Sequence, residues 1–143
     1  MDGRTPARVV FHASLVFLVA LACGVPYAAS ITSGAGEDVV RGWRVAHLGL
    51  VAGAIWGIAV AVALRHVVLG EGAARLLVGS LLLSLWGFVV ALVLGPLAGV
   101  RGLVPGESVA NTVAFLANLV ASIASIVSMV LLAAGARAAA RAS

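Results

Sequence analysis

The chain has 143 residues, of which 63% are hydrophobic and 10% charged, with a mean hydropathy of +1.20. A soluble domain of this length needs far more charge to cover its surface, so the composition makes lipid the main solvent and points to a single domain over residues 1–143. The net charge of +4 is no nucleic-acid footprint, because the arginines stand singly between apolar runs, where membrane topology accounts for them.

Four apolar stretches each reach about 20 residues, the length that crosses a hydrocarbon core. They are Val9–Ala29, Val45–Val68, Ala73–Leu94 and Val109–Ala134. Backbone groups in lipid must be satisfied within the segment, so each run is a helix. The expected fold is therefore an all-α integral membrane four-helix bundle. Arg4 and Arg8 precede the first run as in a secretory signal, but that run is long for the role and no clean small-x-small cleavage site follows it, so it is expected to be retained. Its single cysteine, Cys23, excludes an internal disulfide and any multi-cysteine metal site and reads as a small packing residue.

Between the first two spans, Ser30–Arg44 carries Gly34, Gly36, Glu37, Asp38 and Arg41. The second link, at Gly70-Glu71-Gly72, is short enough for a tight antiparallel hairpin. The third, Gly95–Ser108, carries Pro96, Gly99, Arg101, Pro105, Gly106 and Glu107. Four spans place both termini on one side, with Arg4, Arg8, Arg65, Arg75, Arg137 and Arg141. Only Arg41, Arg44 and Arg101 lie on the other. That bias favours termini facing the cytoplasm. All the basic residues are arginines, and alanine, valine and glycine abound as GC-rich codons would give, which suggests a bacterial inner membrane.

The second span carries Gly49, Gly53 and Gly57 at spacing four, a ridge that lets another helix approach closely. The third offers Ser80, Ser84, Gly87 and Ala91, and the fourth Asn111, Asn118, Ser122, Ser125 and Ser128. These three seams are expected to meet inside a compact left-handed bundle, either as ordinary helix–helix glue or as a polar pocket. His47 shares a face with Leu50, Val51, Ala54, Ile58 and Ala61, well away from the glycine ridge. It is thus expected on a face that its own bundle leaves unused. An ionisable group there needs a partner: a neighbouring subunit, a cofactor, or headgroup water beside Trp43 and Arg44. His12 and His66 are expected near the cytoplasmic ends of the first and second spans. His12 and His47 should then stand roughly 20 Å or more apart, too far to share a metal. No Asp or Glu lies within an apolar run, which speaks against a carboxylate relay, and no span is broken at its centre as in a transporter.

The segment Gly42-Trp43-Arg44-Val45-Ala46-His47-Leu48-Gly49 resembles the second span of styrene oxide isomerases. The similarity continues in register through Ala74-Arg75-Leu76-Leu77, Trp86-Gly87 and Arg101-Gly102-Leu103, and includes Phe11-His12 in the first span. It covers about four-fifths of the chain. The hydroxylaminobenzene mutases, a related four-span group, show a similar start and a similar histidine. The resemblance implies a homotrimer that holds haem b between subunits, with His47 as axial ligand. It also implies a ferric iron with an open position, acting as a Lewis acid on an epoxide oxygen, followed by ring opening and a hydride shift to an aldehyde. This chain departs from the family twice. Gly53 stands where the isomerases carry a substrate-orienting asparagine, and Leu92 where they carry a phenol. The only tyrosine, Tyr27, lies near the outer end of the first span.

Two functions follow. One is a haem-dependent membrane isomerase or mutase for a small apolar substrate, an aryl epoxide or an arylhydroxylamine. The alternative is a non-catalytic membrane protein, either a haem-binding homologue or a structural four-helix bundle.

Overall fold

The computed structural model describes residues 4–106 and 108–142, so Glu107 of the third loop lies outside the described residues. It contains α1 (Arg4–Thr32), α2 (Glu37–Ala63), α3 (Glu71–Ala98) and α4 (Val109–Ala142), with a short 3-10 turn at Leu64–His66. Each helix is long and apolar enough to cross a membrane. Large apolar side chains such as Phe11, Val25, Leu97 and Val109 stand on the outside, a surface suited to hydrocarbon and costly in water. The chain is a multi-pass membrane protein.

The helices overrun the apolar stretches because hydropathy marks where lipid lies, not where backbone hydrogen bonding stops. α2 begins well before Val45, with Glu37 and Asp38 in its first turn complementing the helix dipole. α4 runs on past Ala134 through Arg137 and Arg141. α2, by contrast, gives up α-helical geometry at Ala63, short of the predicted Val68, and tightens through the 3-10 turn. α1 is followed by Gly34 at φ 66° and α3 by Gly99 at φ 66°, the left-handed conformation that lets a chain leave a helix at little cost.

The most extensive packing joins α1 to α2 and α3 to α4, with further contacts of α3 against α2 and α1. α4 touches α3 and the turn after α2 but has at most marginal contact with α1 and α2. The most apolar stretch of α3 is accordingly 39% buried against 22% for that of α4, which makes α3 the central helix. This corrects the expected meeting of three seams. The glycine ridge of α2 faces α3: a Cβ at Gly49 would lie 3.0 Å from Leu92, and one at Gly57 3.2 Å from Leu85 and 3.1 Å from Ala13 of α1. The small face of α3 turns instead to α4, where Ser84 and Ser125 share a hydrogen bond and Gly87 abuts Ala121. The α2 and α4 seams thus flank α3 on different sides. Within the α4 ladder Asn111 and Ser128 are buried, Ser125 and Asn118 half-buried, and Ser122 exposed. Exposure of Ser122 overturns its place in a closed seam.

Asn111 fixes the third loop. Its Oδ1 accepts from the Gly102 N–H at 3.0 Å, and its Nδ2 donates to the carbonyls of Val104 at 2.8 Å and Gly106 at 3.0 Å. Gly102 is itself buried at φ 57°, and a Cβ added there would lie 2.7 Å from the Cβ of Ala114. Replacing Asn111 with alanine strands the buried Gly102 N–H and is expected to cost about 1–3 kcal/mol, read as a lowered midpoint of unfolding in mixed micelles. At the same end, Asp38 pairs with Arg41 and with Arg101 at 2.8 Å, linking the start of α2 to the third loop. These groups are well exposed, so the pairs orient the loop more than they stabilise it. At the opposite end, the Val68 N–H donates to the Gly135 carbonyl at 3.1 Å, and Leu69 packs on Gly135. The turn after α2 therefore docks on α4 as well as joining α2 to α3.

The hydroxyl pair between Ser84 and Ser125 is the only side-chain hydrogen bond seen between α3 and α4 among the described residues. Interhelical bonds of this kind in membranes contribute about 0.6 kcal/mol on average, because the separated helices also find partners. Ser84→Ala is expected to lower stability by about that amount, measured by the same unfolding assay.

Candidate functional site

His47 lies in the half of the α1–α2 joint nearer the first loop, on the helical face that also buries Leu50, Ala54 and Ala61. α1 covers that face, which corrects the expectation that the bundle leaves it unused. The Nδ1 atom of His47 stands 2.8 Å from the main-chain oxygen of Ala20. A carbonyl oxygen only accepts, so Nδ1 donates and carries the proton. Nε2 has no hydrogen-bond partner among the described residues. Because no buried side-chain nitrogen or oxygen there lacks a partner, Nε2 reaches the molecular surface. The half-buried ring thus offers its lone pair outward from a fixed tautomer.

Two other α1 residues frame the same ring. A Cβ at Gly24 would lie 3.2 Å from both Cε1 and Nδ1 of His47, a tight contact from which the ring would have to shift by a few tenths of an ångström. Tyr27 stacks on the imidazole with centroids 6.2 Å apart and planes inclined by 27°. Ala20, Gly24 and Tyr27 succeed one another at spacings of four and three, one stripe of α1. Sequence reasoning places Tyr27 near His47 in depth but misses Gly24 and the Ala20 carbonyl.

The other site positions fall elsewhere. Gly53 lies on the seam with α3, its nearest neighbour there being Leu85, and Leu92 packs against Gly49 on the same seam. Position 53 is about 120° around α2 from His47. Within one chain, Gly53 and Leu92 therefore do not line the Nε2 side of His47, and they bring no polar side-chain atom to the seam.

His12 is deeper than expected. The Trp86 indole donates to its Nδ1 at 3.1 Å, and Trp86 is close to the middle of α3. Neighbouring Ala13 meets Gly57 at the same level. Counting from His12 to Ala20 and Gly24 puts about 12–18 Å of helix rise alone between His12 and the level of the His47 ring. The two still do not share a ligand. His12 sits edge-on to Phe11 and Trp86, whereas His66 lies exposed in the turn after α2. Cys23 is free and buried, as a packing residue should be. Among the described residues, no group of three or more His, Cys, Asp or Glu side chains converges on a metal-sized site.

A chain-supplied ligand set at His47 is thus one imidazole with its second nitrogen already bonded. That donor set suits a macrocyclic metal group, which brings its own equatorial ligands, and not a bare ion that needs several protein ligands. No curated protein and no solved structure matches the chain. The family model described as styrene oxide isomerase matches residues 5–137, nearly the whole of the four-helix domain. With that match covering all four helices and the site just described, the chain belongs to the styrene oxide isomerase family.

Proposed function

We propose that this protein is a haem b-binding membrane isomerase or mutase acting on a small apolar substrate, an aryl epoxide or an arylhydroxylamine. The observation that carries the proposal is the committed Nδ1 of His47, which leaves Nε2 as an outward-facing lone pair. A metal-ligating histidine almost always donates its other ring N–H to a carbonyl or carboxylate, which fixes the ring and raises its basicity. When bound, ferric haem would supply a Lewis-acidic iron with a coordination position free for the substrate oxygen. His47 would hold it from one side, and the Ala20 carbonyl would hold the Nδ1 proton and orient the ring. The apolar surroundings would exclude water, which would otherwise trap an opened ring as a diol.

The protein is proposed to work as a homo-oligomer, a trimer by the family resemblance, with its termini facing the cytoplasm across a bacterial inner membrane. Two observations support assembly. The Nε2 side of His47 is not lined by positions 53 and 92 of the same chain, so a site containing all three is closed by a second copy. The half-buried Asn118 amide also has no hydrogen-bond partner among the described residues, and a polar group in hydrocarbon gains from one across a helix interface. The arginine bias between the two ends supports the orientation.

Gly53 and Leu92 favour a second reading, a haem-binding homologue without catalysis, because neither side chain can donate a hydrogen bond to a substrate oxygen. Purification in mild detergent with ample haem is expected to give a Soret band, and a colourless protein would overturn the haem reading. Incubation of the loaded protein with styrene oxide and with phenylhydroxylamine then separates the two. Isomerised product supports the enzyme, and no turnover of either substrate supports the second reading.

A further inference from the structure

We infer that the α1 stripe of Ala20, Gly24 and Tyr27 is a positioning socket that sets the tautomer and ring plane of His47, with Gly24 as the residue on which the fit depends. The inference rests on the proposed ligand role of His47 only for its effect on haem. The tautomer is a property of the haem-free chain.

Three contacts converge on one imidazole from one helix. The Ala20 oxygen accepts a hydrogen bond from Nδ1 at 2.8 Å, Tyr27 stacks on the ring with centroids 6.2 Å apart, and the ring edge occupies the space beside Gly24, where an added Cβ would lie 3.2 Å from it. Each contact restrains a different freedom. The carbonyl selects which nitrogen is protonated, the phenol ring limits rotation out of plane, and the absent side chain at 24 lets the ring approach α1 closely enough to reach the carbonyl. A lone histidine on a helix surface has none of these restraints and exchanges rotamers and tautomers freely. Glycine inside an apolar helix is unfavourable relative to alanine by about 0.5–1 kcal/mol. At Gly24 that cost leaves the ring its space. Gly79, where an added Cβ would meet nothing within 4 Å, gains no such contact.

A β-branched side chain at 24 enters the volume of Cε1 and Nδ1, so the ring must withdraw and the bond to Ala20 breaks. An alanine meets the ring at the tight 3.2 Å contact and displaces it only slightly. Tyr27 contributes through its ring face, so Tyr27→Phe retains the restraint that Tyr27→Ala removes. None of these residues need touch the substrate.

The test is nitrogen-15 NMR of the histidine side chains in haem-free protein reconstituted in lipid, with the His47 signals assigned by their loss in His47→Ala. The wild type is expected to show a neutral, Nδ1-protonated His47. Gly24→Val should move it to a mixture containing the Nε2-protonated form, with Gly24→Ala intermediate and well folded. In the haem-loaded protein, Gly24→Val should weaken haem retention by about 10–100-fold, the usual effect of losing a ligand's supporting hydrogen bond. Tyr27→Phe should lose less than Tyr27→Ala. An Nε2-protonated His47 in the wild type, or a tautomer unmoved by Gly24→Val, overturns the socket. The expected tautomer shift in a chain that binds no haem upholds the socket and overturns the haem reading instead.

Discussion

Replacing His47 with alanine is expected to abolish the Soret band of the haem-loaded protein while leaving the four helices folded. The imidazole is the only donor proposed to hold the iron, and no other metal-ligating cluster exists among the described residues to take its place. Loss of the ligand itself should exceed the effect of losing a supporting bond, so haem affinity should fall by more than about 100-fold. The fold should survive, because the side chain is half-buried and gives up one hydrogen bond and one stacked contact. Each of those is worth about 0.5–1.5 kcal/mol. Haem titration followed by absorption, with far-UV circular dichroism as the folding control, measures both halves of the expectation. His12→Ala and His66→Ala supply the contrast. His12 already uses Nδ1 to accept from Trp86, and His66 lies in the turn at the other end of α2, so both variants should keep the band. If His12→Ala alone loses it, the ligand is misassigned.

Gly87→Leu is expected to be the most damaging single change to the fold. A Cβ at this position would stand 2.9 Å from the Ala121 Cβ and 3.2 Å from the Ala117 oxygen. One of these neighbours is backbone, so relief requires α4 to move as a whole. α4 has little else to hold it: it packs chiefly on α3, supplemented by the turn after α2. Overpacking of a tight interior costs about 1–3 kcal/mol and occasionally more. The upper end applies here because the larger side chain also separates Ser84 from Ser125. Thermal or detergent unfolding, with crosslinking between cysteines placed on α3 and α4, should show α4 released from α3 first. Gly79→Ala is the control. Nothing lies near that position, so alanine should be neutral or stabilise α3 by up to about 1 kcal/mol through its helix propensity. If Gly87→Leu is as stable as the wild type, the close α3–α4 approach is wrong.

The legible and illegible parts of the molecule separate by the range of the physics involved. Four spans are readable from apolar runs, since transfer into lipid depends on each segment's own composition. The glycine ridge of α2 is readable as a packing surface, but not the helix that fills it. Leu85 and Leu92 do so from α3, while the Ser and Gly face of α3 is taken up by α4. Ser122 carries the same local signal as Ser125, and only their positions around α4 relative to α3 make one exposed and the other bonded. The depth of His12 is not readable from its distance to the start of an apolar run, which ignores how far one helix is displaced along its neighbours. The family resemblance supplies the proposed role of His47, and its residues supply the departures at 53 and 92.

By itself, the sequence determined a four-span, all-helical membrane chain of the styrene oxide isomerase family with a histidine in the first part of its second span. Only the tertiary structure decided that α1 covers this histidine, that the Ala20 carbonyl holds its proton on Nδ1, and that its other nitrogen faces outward. The physical reason is that hydropathy and spacing are properties of side chains taken one segment at a time. The contact that orients His47 is made by a backbone oxygen and an absent side chain on another helix. Every residue has a carbonyl and any glycine lacks a side chain, so neither carries a signal until the two helices are packed together.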